Sequence, residues 1–203
     1  MDLEVVKKFY NTISPEILSE YARLAGLGAN TPIDFQYFSK LLLGKNKVLE
    51  VGCGTGRLGR FFIEGHEYIG IDVQQVYLDE FSKYLLEKGF HPSEILFLCS
   101  FMDYEGKDFD AVLFPWSVIC DFDKNQQKKV LEKAYKLLND GGIVILDNPA
   151  IGAPYNAFSG YSPSFFYFDE WEMVFREIGF THSKKLEYVT TTDRKREISI
   201  LIK

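Results

Sequence analysis

From Lys47 onward the sequence alternates short apolar runs with longer segments of helical period, and that alternation leaves few folds open. Val48-Leu49-Glu50-Val51, Tyr68-Ile69-Gly70-Ile71, Ile95-Leu96-Phe97-Leu98, Asp110 to Phe114 and Ile143-Val144-Ile145-Leu146 all have strand length. Arg57 to Glu64, Gln75 to Lys88 and Gln126 to Leu138 lie among them. In the second of these, Val76, Leu78, Phe81, Leu85 and Leu86 make the apolar stripe of an amphipathic helix. Asn139-Asp140-Gly141-Gly142 reads as the C-cap of the third. Strands separated by helices imply crossover connections and a parallel sheet. Strands that are apolar throughout, without alternation, belong to a sheet covered on both faces. Further on, Asp169 to Ile178 reads as a helix closed by Gly179. Two strands follow, Ser183–Thr190 and Glu197–Ile202, joined only by the polar stretch Thr191-Thr192-Asp193-Arg194. So short a link forces them antiparallel. The expected fold is therefore α/β, a mostly parallel sheet with one antiparallel strand near its end.

The residues before Lys47 have a different character. Ser14-Pro15-Glu16 is a helix start, with Ser as N-cap and Pro in the first turn. Ile17, Leu18, Tyr21, Leu24 and Ala25 recur at helical spacing, and Gly26-Leu27-Gly28-Ala29-Asn30 ends the run. Asp34 to Leu43 reads as a second helix. This divides the chain into a helical cap, residues 1–46, and a main domain, residues 47–203. With 203 residues, 46% of them hydrophobic, the chain can bury one full core.

Several classes of function lose ground on composition. No stretch approaches the ~18 apolar residues of a membrane span. Met1 to Lys8 has mixed charge and no apolar core of a signal peptide, so a cytoplasmic location and no membrane partner are expected. A net charge of −6 argues against a nucleic-acid partner, which needs clustered cations. Arg194-Lys195-Arg196 is such a cluster, but Asp193 and Glu197 flank it, and it reads as a solvated hairpin turn. Cys53, Cys99 and Cys120 fit neither a disulfide framework nor a zinc knuckle. Cys53 and Cys99, beside apolar runs, read as small buried thiols.

The chemistry points to Glu50-Val51-Gly52-Cys53-Gly54-Thr55-Gly56, where the first strand runs into a glycine turn. Glycines there let the backbone turn sharply and approach a ligand closely. Asp72 ends the next strand, 20 residues after Gly52, where a carboxylate can accept from both ribose hydroxyls of an adenosine. Gly54, Gly56 and Gly59 also fit the dinucleotide pattern G-x-G-x-x-G, so the glycines alone do not choose between cofactors. Glu50 does separate them. A carboxylate beside the turn repels a pyrophosphate but suits S-adenosylmethionine, whose amino group and sulfonium are cationic. The closing antiparallel hairpin is likewise foreign to a plain dinucleotide fold.

On these residues the sequence resembles the class I S-adenosylmethionine-dependent methyltransferases, with Val48 to Gly56 matching their first motif. The resemblance implies a Rossmann-like seven-stranded sheet of order 3-2-1-4-5-7-6, with strand 7 antiparallel and helices on both faces. It implies that Glu50, Gly52, Cys53, Gly54 and Gly56 form the cofactor turn. By the same resemblance Asp72 holds the ribose hydroxyls and Val73 packs on the adenine. Ser100 stands where the family often has an acid, and Phe101 or Met102 would cover the ring. Phe114 and Trp116, at the end of the fourth strand, would flank the methionine part.

Methyl transfer is an in-line displacement that depends chiefly on alignment and exclusion of water, so no catalytic residue is assigned. Phe114-Pro115-Trp116-Ser117 lacks the amide of the family's nucleic-acid amine motif. Asp147-Asn148 resembles the metal-dependent catechol-type members, yet no carboxylate follows the fourth strand, so no metal is expected. The acceptor is expected to be a small molecule. Pro149–Phe168, twenty residues rich in aromatics, reads as a lid or substrate loop. Tyr155, Phe158, Tyr161 and Tyr167 are its pocket candidates, with Tyr10 and Tyr21 from the cap. Two other readings stay open: an NAD-type oxidoreductase, and a methyltransferase-like binding module without turnover.

Overall fold

The computed structural model describes residues 3–28, 32–153 and 163–203. The described strands are β1 (Lys47–Val51), β2 (Glu67–Asp72), β3 (Leu96–Leu98), β4 (Phe109–Phe114), β5 (Leu138–Pro149), β6 (His182–Val189) and β7 (Lys195–Ile202). They form one seven-stranded sheet in the order β3-β2-β1-β4-β5-β7-β6. β1 pairs parallel with β2 and β4, β2 with β3, and β4 with β5. β7 enters between β5 and β6 and is antiparallel to both. This is the expected order and the expected antiparallel strand.

Side chains alternate across the pleat, and the two sets meet different layers. Leu49, Val51, Val112, Phe114, Val144 and Leu201 pack with Val130 and Leu131 of α6 (Lys124–Leu137) and Phe175 of α7 (Phe168–Ile178). Val48, Ala111, Leu113, Ile145, Ile198 and Ile200 face the other way. They meet Phe62 of α4 (Gly59–Phe62) and Leu78, Phe81 and Leu85 of α5 (Gln75–Glu87). Before β1 come α1 (Leu3–Tyr10), α2 (Pro15–Leu24) and α3 (Ile33–Leu41). Ala25, Leu27, Phe38 and Leu42 from this region join the second layer, so the first helices share the core of the sheet. Ser14 caps α2 as read, its hydroxyl accepting from the Ile17 N–H at 3.3 Å.

The structure corrects three local readings. The helix expected over Arg57 to Glu64 is a single turn, Gly59–Phe62. Gly54 and Gly56 are both left-handed, with φ of 54° and 79°, so the chain cannot enter a helix until it has passed them. Asn139–Gly142 is no helix cap. The C-cap of α6 is Leu138, already extended, and β5 starts there. Lys203 causes this: it accepts from the Gly141 N–H and donates to the Gly142 carbonyl, which draws the glycines into the sheet. The extra residues show as a register shift between Phe109↔Leu138 and Ala111↔Ile143. Lastly, Arg194-Lys195-Arg196 is not a solvated turn. Lys195 and Arg196 belong to β7, and Arg196 is buried.

Candidate functional site

At the carboxyl ends of the parallel strands β1, β2 and β4 lies a cavity of about 1430 Å³. Open α/β sheets bind ligands at this edge, where the strand order reverses. Here that point is β1, with β2 on one side and β4 on the other. The volume exceeds the roughly 300–1,000 Å³ of an ordinary single-ligand pocket, leaving room for a cofactor and a second molecule.

The turn after β1 is built on backbone contacts to β2. The Gly52 and Cys53 N–H groups both donate to the Ile71 carbonyl, at 2.8 and 3.1 Å. The Gly54 N–H donates to Asp72 Oδ2 at 2.8 Å, and the Gln74 N–H to Asp72 Oδ1 at 2.9 Å. The carboxylate at the end of β2 is thereby fixed in orientation while facing the cavity. Burial pushes its pKa up to about 6 against the pull of the Gln74, Gly54 and Val73 N–H groups. Glu50 lies deeper, its carboxylate accepting from the Tyr68 hydroxyl at 2.6 Å. Burial pushes it up to about 8, opposed by Tyr68 and by the charge of Arg57. Two buried acids whose ionisation is suppressed make a site that gains from a cationic ligand.

Arg57 ties this turn to the cap. It grips Asp34 with both nitrogens, at 2.9 and 2.7 Å, and Asp34 is fully buried. Its guanidinium also lies 5.8 Å from the Trp116 ring centroid. Trp116 and Ser117, just after β4, both take left-handed conformations, with φ of 48° and 69°. Such backbone persists only where its surroundings enforce it. Asp147 at the end of β5 does so: its carboxylate accepts from the Trp116 N–H at 3.0 Å and its carbonyl from the Ser117 N–H at 2.7 Å. Arg196 then neutralises that carboxylate through a bidentate pair, both bonds 2.9 Å long, and Tyr188 donates to it at 3.0 Å. Asp147 is thus committed to shaping the turn.

Of the residues expected at the cofactor, the cavity brings together Glu50, Gly52, Cys53, Gly54, Asp72, Val73, Ser100, Phe101, Met102 and Trp116. Tyr10 and Tyr21 of the cap line it as well. Gly56, Phe114 and Tyr167 are not in its lining. Gly56 is pressed against the Phe81 ring, Phe114 is core packed edge-on to Phe101, and Tyr167 stacks on Phe165. Tyr155, Phe158 and Tyr161 lie outside the described residues. Sequence reasoning missed Arg57, Val118 and Asp121, which line the cavity, and Asp34 behind it. It also missed that Arg194, Lys195 and Arg196 line it; their place at the start of β7, which enters antiparallel at the ligand edge, is the signal that could have shown this.

The residues fit S-adenosylmethionine. Gly54 leaves open space where a side chain would stand: a Cβ there would meet only Leu18, at 3.5 Å. Glu50 and Asp72 supply acceptors, and Phe101 supplies an apolar wall.

A glycine turn against an acid-ended β2, in a sheet closed by an antiparallel hairpin, gives the chain the fold of Rossmann-like S-adenosylmethionine-dependent methyltransferases of known structure. Within the chain, residues 48–142 match the family model described as a methyltransferase domain. A search of curated proteins by sequence returned no match. Among solved structures, the fold is similar to 1,6-didemethyltoxoflavin-N1-methyltransferase of Burkholderia thailandensis, solved with 1,6-didemethyltoxoflavin and S-adenosylhomocysteine. The TM-score is 0.78 at 15% identity, over 99% of this chain and 88% of that one. It is also similar to magnesium protoporphyrin IX methyltransferase of Synechocystis with bound S-adenosylhomocysteine, with a TM-score of 0.71 at 14% identity, over 98% and 99% of the two chains. A third similar structure, from Nostoc punctiforme, has a TM-score of 0.66 at 23% identity. There the match covers 84% of this chain but spans only 56% of the other's length. Among the described residues no helix is long and apolar enough to cross a membrane.

Proposed function

We propose that the protein transfers the methyl group of S-adenosylmethionine to a small-molecule acceptor held in the same cavity. One observation carries the reading: a single cavity joins the Gly52–Gly54 turn, Glu50, Asp72, Ser100–Phe101 and Trp116, and is larger than one cofactor requires. In this reading Asp72 accepts from the ribose hydroxyls, Val73, Phe101 and Met102 cover the adenine, and Glu50 faces the methionine ammonium. The two solved relatives crystallised with S-adenosylhomocysteine support the cofactor, and the toxoflavin precursor in one of them supports a small acceptor. The bound cofactor supplies an activated methyl on sulfur. The chain's part is to orient the acceptor along the sulfur–methyl line and to exclude water. Residues 1–46 serve as the cap of this cavity and residues 47–203 as the methyltransferase domain. The net charge of −6 supports an acceptor other than nucleic acid.

Calorimetric titration tests the reading. S-adenosylmethionine and S-adenosylhomocysteine are expected to bind the wild-type protein, and NAD is not. Asp72→Ala is expected to weaken both by about tenfold or more, the scale of a lost buried charge-assisted hydrogen bond. Binding of NAD in place of S-adenosylmethionine would sink the proposal. The acceptor class is then read from S-adenosylhomocysteine release over a panel of small hydroxyl, amine and aromatic carbon acceptors set against oligonucleotides. Turnover of the oligonucleotides alone would overturn it.

A further inference from the structure

We propose that Asp121 is the charge-selecting residue of the cofactor site: its carboxylate favours the cationic sulfonium of the methyl donor over the neutral thioether left after transfer. The inference rests on the reading of the cavity as an S-adenosylmethionine site. Its consequence is that the site holds the donor and lets the spent product go.

Asp121 closes the short 3₁₀ helix Val118–Asp121 that follows the Trp116–Ser117 turn. In such a helix residues three apart lie on one side. Val118 uses that side to cover the glycine turn, since a Cβ on Gly52 would come within 2.7 Å of it. Asp121 shares the side and lines the same cavity as Gly52, Gly54 and Asp72. The helix is not free to swing. Gln127 of α6 donates to the Ile119 and Phe122 carbonyls at 3.2 and 3.0 Å, and Asp147 holds the Ser117 N–H.

The cap fixes the carboxylate from above. Tyr10 of α1 donates its hydroxyl to Asp121. The Tyr10 carbonyl accepts from the Tyr77 hydroxyl at 3.1 Å, and the Lys7 carbonyl from Gln74 Nε2 at 2.9 Å, so α1 is anchored beside the end of β2. Asp72, of like sign, bears on Asp121. Burial and Asp72 push the Asp121 carboxyl up to about 8, with Tyr10 opposing. Cys120 next to it stays neutral, its thiol pushed up to about 12 by burial. Two cations lining the cavity are engaged elsewhere: Arg57 with Asp34, and Arg60 with the Thr55 carbonyl and the Tyr84 ring. The other charged residues of the lining are Lys129 of α6, Asp103, Glu16, Glu20 and Arg23 of α2, Arg194 just before β7, and Lys195 and Arg196 in it.

A fixed cation entering this cavity lets Asp121 ionise. The two ligands share the methionine ammonium and carboxylate and differ in the charge on sulfur. Glu50 also lines the cavity, so Asp121→Asn, and not the ligand pair alone, isolates the share of Asp121. Calorimetry at pH 7.5 in two buffers of different ionisation enthalpy measures the protons released on binding. The wild type is expected to release more protons with S-adenosylmethionine than with S-adenosylhomocysteine. It is also expected to bind the donor more tightly, and in Asp121→Asn that preference should fall about tenfold, the scale of one charge pair in a partly buried site. Tyr10→Phe, which keeps the carboxylate, should keep the preference. Equal proton release by the two ligands overturns the proposal, and so does a preference that Asp121→Asn leaves within about twofold of wild type. Should Asp121→Asn fail to fold, Glu50→Gln decides: the extra proton released with S-adenosylmethionine should persist in it, and its loss overturns the proposal. Failure of both ligands to bind the wild type would instead remove the cofactor reading itself.

Discussion

Gly54 and Gly56 stand two residues apart in one motif yet answer to different constraints. Gly54 faces the cavity, and its left-handed φ of 54° is the only obstacle to a side chain. Gly54→Ala is expected to fold, at a cost of about 1–2 kcal/mol for the left-handed backbone. Its main loss should be cofactor affinity, because the new methyl group enters the ligand's space. Gly56 has the same strain plus a neighbour: a Cβ there would lie 2.3 Å from the Phe81 ring, in the middle of the core. Gly56→Ala is expected to lose a further ~1–3 kcal/mol through overpacking. Urea denaturation of the two variants, run beside the titration, checks the order; a Gly54 variant less stable than the Gly56 one contradicts it. The motif was legible in the sequence, but this division of labour was not. Spacing shows that glycine is needed, and only the packed neighbours show why. Asp121 was illegible for a similar reason. It ends a four-residue 3₁₀ turn, too short for any periodicity to mark the face it presents.

At the scale of elements, the Asp147–Arg196 pair joins β5 to β7 and holds the turn after β4 in its strained form. Both side chains are almost wholly buried. Removing one partner of such a pair is strongly destabilising, by about 3–5 kcal/mol, because the other charge is stranded. Arg196→Met is expected to show that loss in chemical denaturation. It should also weaken S-adenosylmethionine binding, since Trp116 and Ser117 depend on the same carboxylate. A variant with unchanged stability would show that the pair is replaceable. The strands themselves were readable from apolar runs between turn signals. The junction of α6 and β5 was not, because Asn139–Gly142 carries cap chemistry locally and is drawn into the sheet by Lys203, some sixty positions later. Asp34 and Arg57 pair across 23 residues, again beyond any local pattern.

For the whole molecule, the suppressed ionisation of Glu50 and Asp72 couples stability to pH. Their pKa values in the folded protein, about 8 and about 6, exceed the ordinary 4.5 and 3.8. Between these limits the folded state holds more protons than the unfolded one, so stability falls as pH rises, by about 1.4 kcal/mol per unit for each group still protonated. The ligand-free protein is expected to melt at progressively lower temperature from pH 4.5 to pH 8, and Glu50→Gln to flatten that slope. Thermal melts across the range check it; equal slopes would contradict it. A mostly parallel sheet with one antiparallel strand was legible in the runs and the short hairpin link, whereas the order of its strands followed only from the resemblance carried by Val48 to Gly56. What the order of strands implies for assembly is a separate matter. β7 separates β5 from β6, although β6 is made first. During synthesis the run Ile143–Leu146 must therefore leave the ribosome with one edge unpaired, and β6 has nothing to dock on until residues 195–202 emerge. An apolar strand edge left open is the kind of surface on which nascent chains associate, so the interval before β7 emerges is the one in which this fold is most exposed to aggregation.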